Sequence, residues 1–204
     1  MNRILVATSN PGKLRDFAGA ALSYEVEILP VPNFSSLPAV IEDGATFEAN
    51  ARKKAEAYSR YVAGIVIADD SGLEVDALGG APGVHSARYA AEEPHLADSN
   101  TDDDTNNRKL IREIKMLRPV DREARFVCVI AAAREGKTLA VFEGFAEGII
   151  LERPRGFNGF GYDPLFYFPS IQKAFAELSA EEKAKYSHRS AAFRKFLDWA
   201  KTQP

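Results

Sequence analysis

"REARFVCVIAAAREGKTLAVFEGFAEGIIL", Arg122 to Leu151, is two long strand-like runs on either side of a short "EGK" break. Apolar and β-branched residues dominate both runs, and a glycine in a brief polar interruption signals a hairpin. This part of the sheet is therefore expected to be antiparallel.

Downstream, "RPRGFNGFGYDPLFYFP" mixes glycines and aromatics in a loop and then holds a short strand, Leu165 to Phe168. "SAEEKAKYSHRSAAFRKFLDWAK" follows as one amphipathic helix, with Ala192, Phe193, Phe196, Leu197 and Trp199 in its apolar stripe.

Upstream the order is different. "RILVA" (Arg3 to Ala7) is a buried strand bounded by "TSNPG", and a helix follows it. Pro11 suits the first helical turn, Asn10 or Ser9 can cap it, and Leu14, Phe17, Ala18 and Ala21 recur at helical spacing. "EVEIL" (Glu25 to Leu29) is a second strand, and the prolines at 30, 32 and 38 make Pro30 to Gly44 an irregular connection. "TFEANARKKAEAYSRYVA" is a helix with Thr46 as N-cap and Gly64 as its stop. "IVIAD" is the next buried strand, and "LEVDAL" alternates like a separate, half-exposed one. The fold class is α/β with a mixed sheet, parallel where helices intervene and antiparallel at the hairpin. The chain's 204 residues suit one domain, or one domain with two lobes around a cleft.

Composition removes several classes of function. A formal net charge of −3 supplies no overall basic field for nucleic acid or an anionic membrane. No segment approaches the roughly 18 apolar residues of a membrane span, and the N-terminal apolar run is too short for a signal peptide. Cys128, the single cysteine, lies in "FVCVIAAA" as a small buried hydrophobe and fits a reducing cytoplasm.

Four clusters bear chemistry. "TSNPGK" (Thr8, Ser9, Asn10, Pro11, Gly12, Lys13) joins a strand to a helix, where small residues, helix N–H groups and a lysine suit a phosphate, although such turns also serve as plain connectors. In "ADDSG", alternation along the strand sends Asp69 and Asp70 to different faces, so one carboxylate is available to a ligand, unless Asp70 and Ser71 only organise a turn. Glu42, in "IEDG", together with Asp70 would be enough for Mg²⁺, which needs one or two protein carboxylates. "GFGYD" presents Phe160 between Gly159 and Gly161 as either a base-stacking plate or a staple over the core. Lys183 and "SHR", which contains His188 and Arg189, offer donors for phosphate or for carbonyl-rich ligand edges, while His188 reads equally as capping or packing. His85 and His95 have no metal-ligand spacing with His188. The acidic run "DSNTDDDT" is read as helix capping. Together these clusters form the parts of a nucleoside triphosphate site.

"ILVATSNPGK", "EDGATFEANARKKA", "ADDSGLEVDALGGAPGVHSARYA", "GFGYDPLF" and "EEKAKYSHRSAA" resemble, in the same order, the signature segments of the inosine/xanthosine triphosphate pyrophosphatases. The resemblance runs from Ile4 to about Leu197. It implies an elongated mixed β-sheet with flanking helices forming two lobes around a central cleft, in a homodimer. It also implies Mg²⁺-dependent cleavage of dITP, ITP or XTP to the monophosphate and pyrophosphate. By the same resemblance, Thr8 to Lys13 and Lys54 hold the triphosphate, Asp70 is the general base, and Glu42 and Asp70 hold the metal. Ser71 touches substrate, and Phe160, Gly161, Tyr162, Asp163, Lys183, His188 and Arg189 surround the purine. Ile41 stands where some relatives carry another acid, so the ligand in that loop is less defined than Asp70. The competing readings are a pyrophosphatase for modified pyrimidine or methylated nucleotides, a nucleotide sensor without hydrolysis, and a sugar-cleaving enzyme with paired carboxylates.

Overall fold

The computed structural model describes residues 3–22, 24, 26–91, 100–118 and 121–203. The strands are β1 (Arg3–Val6), β2 (Glu27–Pro30), β3 (Val66–Val75), β4 (Glu123–Arg134), β5 (Lys137–Ile150), β6 (Phe166–Phe168) and β7 (Lys173–Ala174). The helices are α1 (Pro11–Ala21), α2 (Phe47–Tyr58), α3 (Asp103–Ile114), α4 (Ala180–Tyr186) and α5 (His188–Ala200).

The strands form one mixed sheet in the order β2-β1-β3-β4-β5-β6-β7. β1 runs parallel to β2 and to β3, because α1 and α2 provide the crossovers. β5, β6 and β7 pair antiparallel. β4 and β5 are joined by Glu135 and Gly136, whose φ values of 52° and 78° are those of a tight hairpin turn.

The chain divides into two compact units: Met1–Ser71 with Cys128–Phe145 and Ala184–Pro204, and Gly72–Val127 with Ala146–Lys183. In the first unit, Ile4, Val6, Ile65, Ile67, Cys128, Ile130 and Ala132 join one core with Phe17 of α1 and Phe193, Phe196 and Leu197 of α5. Their spacing of two residues puts them on one face of the strands. Phe17 and Phe193 meet with ring centroids 5.0 Å apart. The intervening residues Val66, Ala68, Val129, Ala131 and Ala133 are buried as well, so both faces are covered. α2 is tied to this unit's hairpin by Gly136 N–H donating to Ser59 Oγ (3.0 Å) and Thr138 Oγ1 donating to Glu56 (2.7 Å).

In the second unit, Leu73, Val75, Leu110, Ile114, Phe126, Tyr162, Leu165, Phe166 and Phe175 belong to a separate core. Phe126, Phe166 and Phe175 pack with centroids 4.6–5.4 Å apart. Aromatic clusters of this kind combine large burial with edge and face complementarity.

Three local expectations need correction. "IVIAD" and "LEVDAL" are not two strands: β3 runs unbroken to Val75, and only Asp76–Leu78 leaves it, as a single 3₁₀ turn. The acid pair is thus inside a strand and not at its end. The C-terminal helix is broken at Ser187, whose side chain caps α5 by accepting from Ser190 N–H. α2 ends at Tyr58, earlier than Gly64, and Thr46 caps its start as expected.

No helix among the described residues is long and apolar enough to cross a membrane. The segment holding His95 and the first part of the acidic run lies outside the described residues.

Candidate active site

Alternation along β3 sends its two aspartates to opposite faces, and each gathers its own partners. On one face, Asp70 is 8% exposed and its Oδ2 accepts from Asn50 Nδ2 at 3.0 Å. Lys54 Nζ lies 3.5 Å from Asp70 Oδ1 and 2.6 Å from Glu42 Oε2. Asn50 and Lys54 are one helical turn apart on α2, which puts both side chains over the same aspartate.

Burial pushes the Asp70 carboxyl above its usual range, Lys54 pulls it down, and the negative charge of Glu42 pushes it up again. Lys54 is itself buried, which disfavours its charge, yet Asp70 and Glu42 more than offset this and hold its pKa above the ordinary lysine value.

On the other face, Asp69 Oδ2 receives Lys13 Nζ at 2.9 Å, Ser71 Oγ at 2.8 Å and Arg189 Nε at 3.4 Å. Arg189 Nη1 continues to Asp16 Oδ2 at 2.7 Å. Burial opposes the Asp69 charge, but Lys13, Arg189 and Lys54 overcome it and keep the carboxyl well below the ordinary aspartate range. Asp69 Oδ1 is buried and meets no donor among the described residues.

Ser71 therefore stands with Asp69, two residues away on the same face, and not beside Asp70. The Arg189 guanidinium, only 3% exposed, anchors two carboxylates, whereas the sequence reading aimed it at a purine edge. His188 is buried at the start of α5.

The turn from Thr8 to Lys13 has the predicted shape but fewer open N–H groups than expected. Asn10 Oδ1 accepts from Gly12 N (2.8 Å) and Lys13 N (3.2 Å), and Thr8 Oγ1 accepts from Asn10 N (3.1 Å). Pro11 has no N–H to offer. The turn still presents a positive helix end and exposed Ser9, with the Lys13 ammonium beside Asp69.

In the second unit, Asp163 Oδ2 collects the Phe160 N–H (3.0 Å) and Lys183 Nζ (2.7 Å), and that ammonium lies 4.9 Å from the centroid of the Phe160 ring. Tyr162 is turned inward, its hydroxyl donating to Ser86 O at 2.8 Å, so it supports the loop from the core. Gly159 and Gly161, at φ 83° and 61°, give the loop its left-handed bends.

Among the described residues no group of three or more His, Cys, Asp or Glu gathers as a metal cage. Glu42 and Asp70 nevertheless converge on one ammonium and repel each other, and two carboxylates with water and phosphate oxygens suffice for Mg²⁺. These residues fit such an ion.

Sequence reasoning missed Asn50 and Asp16. Asn50 is 1% exposed and bridges Asp70 to Gly44, whose N–H it accepts at 2.8 Å. A polar residue one turn before Lys54 in an alanine-rich helix was the available signal. Asp16, one turn after Gly12 and Lys13, offered none beyond helical spacing.

Fold and site together define an α/β protein that ranges Lys13, Lys54 and Arg189 about the buried aspartate pair of β3. The chain matches the model of the Ham1 family over residues 4–199 and belongs to that family. A dITP/XTP pyrophosphatase of Acidobacterium capsulatum is 49% identical over 195 residues, covering 95% of this chain and 96% of the relative. One of Geobacillus kaustophilus is 50% identical, covering 96% and 92%. Among solved structures, a Ham1 protein of Coxiella burnetii superposes with a TM-score of 0.83 at 37% identity over the full length of both chains. The Staphylococcus aureus Ham1 protein gives 0.80 at 38% identity, over 98% of each chain.

Proposed function

We propose that this chain hydrolyses non-standard purine nucleoside triphosphates, dITP, ITP and XTP, to the monophosphate and pyrophosphate. The observation that carries the reading is Asp70: a buried carboxylate with a raised pKa, steered by Asn50 and flanked by Lys54 and Glu42. Both relatives described above are named dITP/XTP pyrophosphatase.

Asp70 orients the attacking water and takes its proton, a role that needs a base more basic than an ordinary aspartate. Lys54 beside Asp70 and Lys13 at the start of α1 offset the charge of the triphosphate, and the positive end of α1 adds to them. Glu42 and Asp70 would hold Mg²⁺, which supplies charge neutralisation on the phosphate oxygens when bound. Asp69 and Arg189 keep Lys13 in place by a buried ion network. Ser71, Thr8, Ser9 and Asn10 complete the substrate contacts.

Phe160 stacks the purine, while Lys183, held by Asp163, donates to its 6-keto oxygen. Adenine has an amino donor at that position, and a polar group left unpaired in this way discriminates strongly. The two units act as one nucleotide-processing domain, in a homodimer and in the cytoplasm; the family resemblance supports the dimer, and the lone buried thiol of Cys128 fits a reducing compartment.

A pyrophosphate-release screen across nucleoside triphosphates, with and without Mg²⁺, tests the reading. ITP, dITP and XTP are expected to be cleaved only with Mg²⁺, with ATP and GTP much poorer. Inorganic phosphate and a nucleoside diphosphate as products would defeat it. Sedimentation of the purified chain tests the dimer.

A further inference from the structure

The acidic run before α3 does more than cap it. Asp102 is the N-cap, its Oδ1 accepting from Thr105 N–H at 2.8 Å. Asp103 points instead to the glycine and aromatic loop, where its Oδ2 accepts the Gly161 N–H at 2.7 Å. One turn along α3, Asn107 Nδ2 donates to the Gly161 carbonyl oxygen at 3.0 Å. The i, i+4 spacing places both side chains on one helix face. A single helix therefore grips both polar groups of one loop residue.

Gly161 sits at φ 61° and Gly159 at φ 83°, so the backbone on either side of Phe160 is of the kind with the widest conformational choice. Asp163 restrains Phe160 from within the loop, through the N–H of Phe160 itself. α3 restrains the next residue from outside. The same loop carries the Lys183 ammonium over the Phe160 ring, by way of Asp163.

We propose that Asp103 and Asn107 are positioning residues for purine recognition: they clamp Gly161 and so fix the plane of the Phe160 ring beneath the Lys183 donor. The proposal rests on the reading of this loop as the purine platform. Neither residue touches substrate, and their influence falls on base binding and discrimination, not on the proton transfer at Asp70. Releasing the clamp widens the range of ring orientations, and ordering the ring again is then charged to substrate binding.

Steady-state pyrophosphate release from ITP by the full chain tests this, with inorganic tripolyphosphate as a competitive inhibitor that has no base. Asp103→Ala is expected to raise the KM for ITP about tenfold, the size of one charge-assisted hydrogen bond, and Asn107→Ala about fivefold, the size of a neutral one, with kcat largely retained in both. Asp103→Asn keeps an acceptor and should restore most of the affinity. Inhibition by tripolyphosphate should be unchanged in all of them. In a Phe160→Ala background, Asp103→Ala should add nothing further to KM, since the clamp acts through that ring. A wild-type KM in both alanine variants, a parallel loss of tripolyphosphate inhibition, or full additivity with Phe160→Ala would each overturn the clamp while leaving the functional reading standing. A wild-type chain that releases no pyrophosphate from any purine triphosphate would overturn that reading, and the clamp's role with it.

Discussion

Asp70 illustrates how a single strand position acquires reactivity. A carboxylate inside β3 is costly to ionise, and Glu42 adds to that cost, but Lys54 and the Asn50 amide keep ionisation within reach. The base must be ionised to act, and in the metal-free chain its carboxyl should titrate above the ordinary aspartate value of 3.8, as read from the pH dependence of its carboxyl carbon chemical shift. Lys54→Met removes the cation that opposes the rise, and in the metal-free variant this titration should move to still higher pH; an unmoved midpoint would detach Lys54 from the base. Asp70→Asn should lower kcat by about 10²–10⁴-fold while ITP still binds, as measured by turnover and by equilibrium titration. Of this site, the opposite orientation of Asp69 and Asp70 was legible in the sequence, because alternation is a property of any strand. The Arg189 anchor was not: its partners Asp69 and Asp16 lie 120 and 173 residues away along the chain, and no local pattern marks such a pairing.

The elements show the same division between near and far causes. Caps follow from residues a few positions apart, and Asn10, Thr46 and Asp102 all accept from the N–H groups their helices leave open. The break between α4 and α5 uses the same chemistry, but a continuous amphipathic pattern hid it. Ser187 is 1% exposed, and its Oγ meets the Ser190 N–H at 3.1 Å and the Ser190 Oγ at 2.9 Å. Ser187→Ala should therefore destabilise the fold by about 0.5–2 kcal/mol, seen as a lower urea midpoint with an unchanged m-value. A midpoint equal to wild type would mean that the break is held by packing alone. β3 shows the reverse case, in which glycine and two acids suggested a turn but pairing in the sheet kept the strand extended through them. Tertiary pairing overrides local preference when the strand is central.

At the scale of the whole molecule, the buried ions of the first unit make its stability depend on pH. Asp69 joins Lys13 of α1 and Arg189 of α5 to β3, and its pKa is depressed on folding. A depressed carboxylate stabilises the fold above its unfolded value of 3.8, and that contribution disappears as pH falls through the lower folded value. Asp69→Asn leaves the buried Arg189, still paired with Asp16, and the partly exposed Lys13 short of a charge, and should cost up to about 3 kcal/mol near neutrality. Denaturant titrations across pH should show the gap between the variant and wild type closing below about pH 4. A gap that stays constant with pH would assign the loss to packing rather than charge. The sequence by itself determined the mixed α/β class, most of the strands and helices, the hairpin and the motifs that mark the family, because periodicity, caps and turn residues act between near neighbours. The tertiary structure decided that Ser71 serves Asp69, that Arg189 is an anchor, that Asn50 steers Asp70 and that Asp103 and Asn107 hold Gly161. Those pairings join residues that are distant in the chain and meet only once the sheet and its helices have assembled.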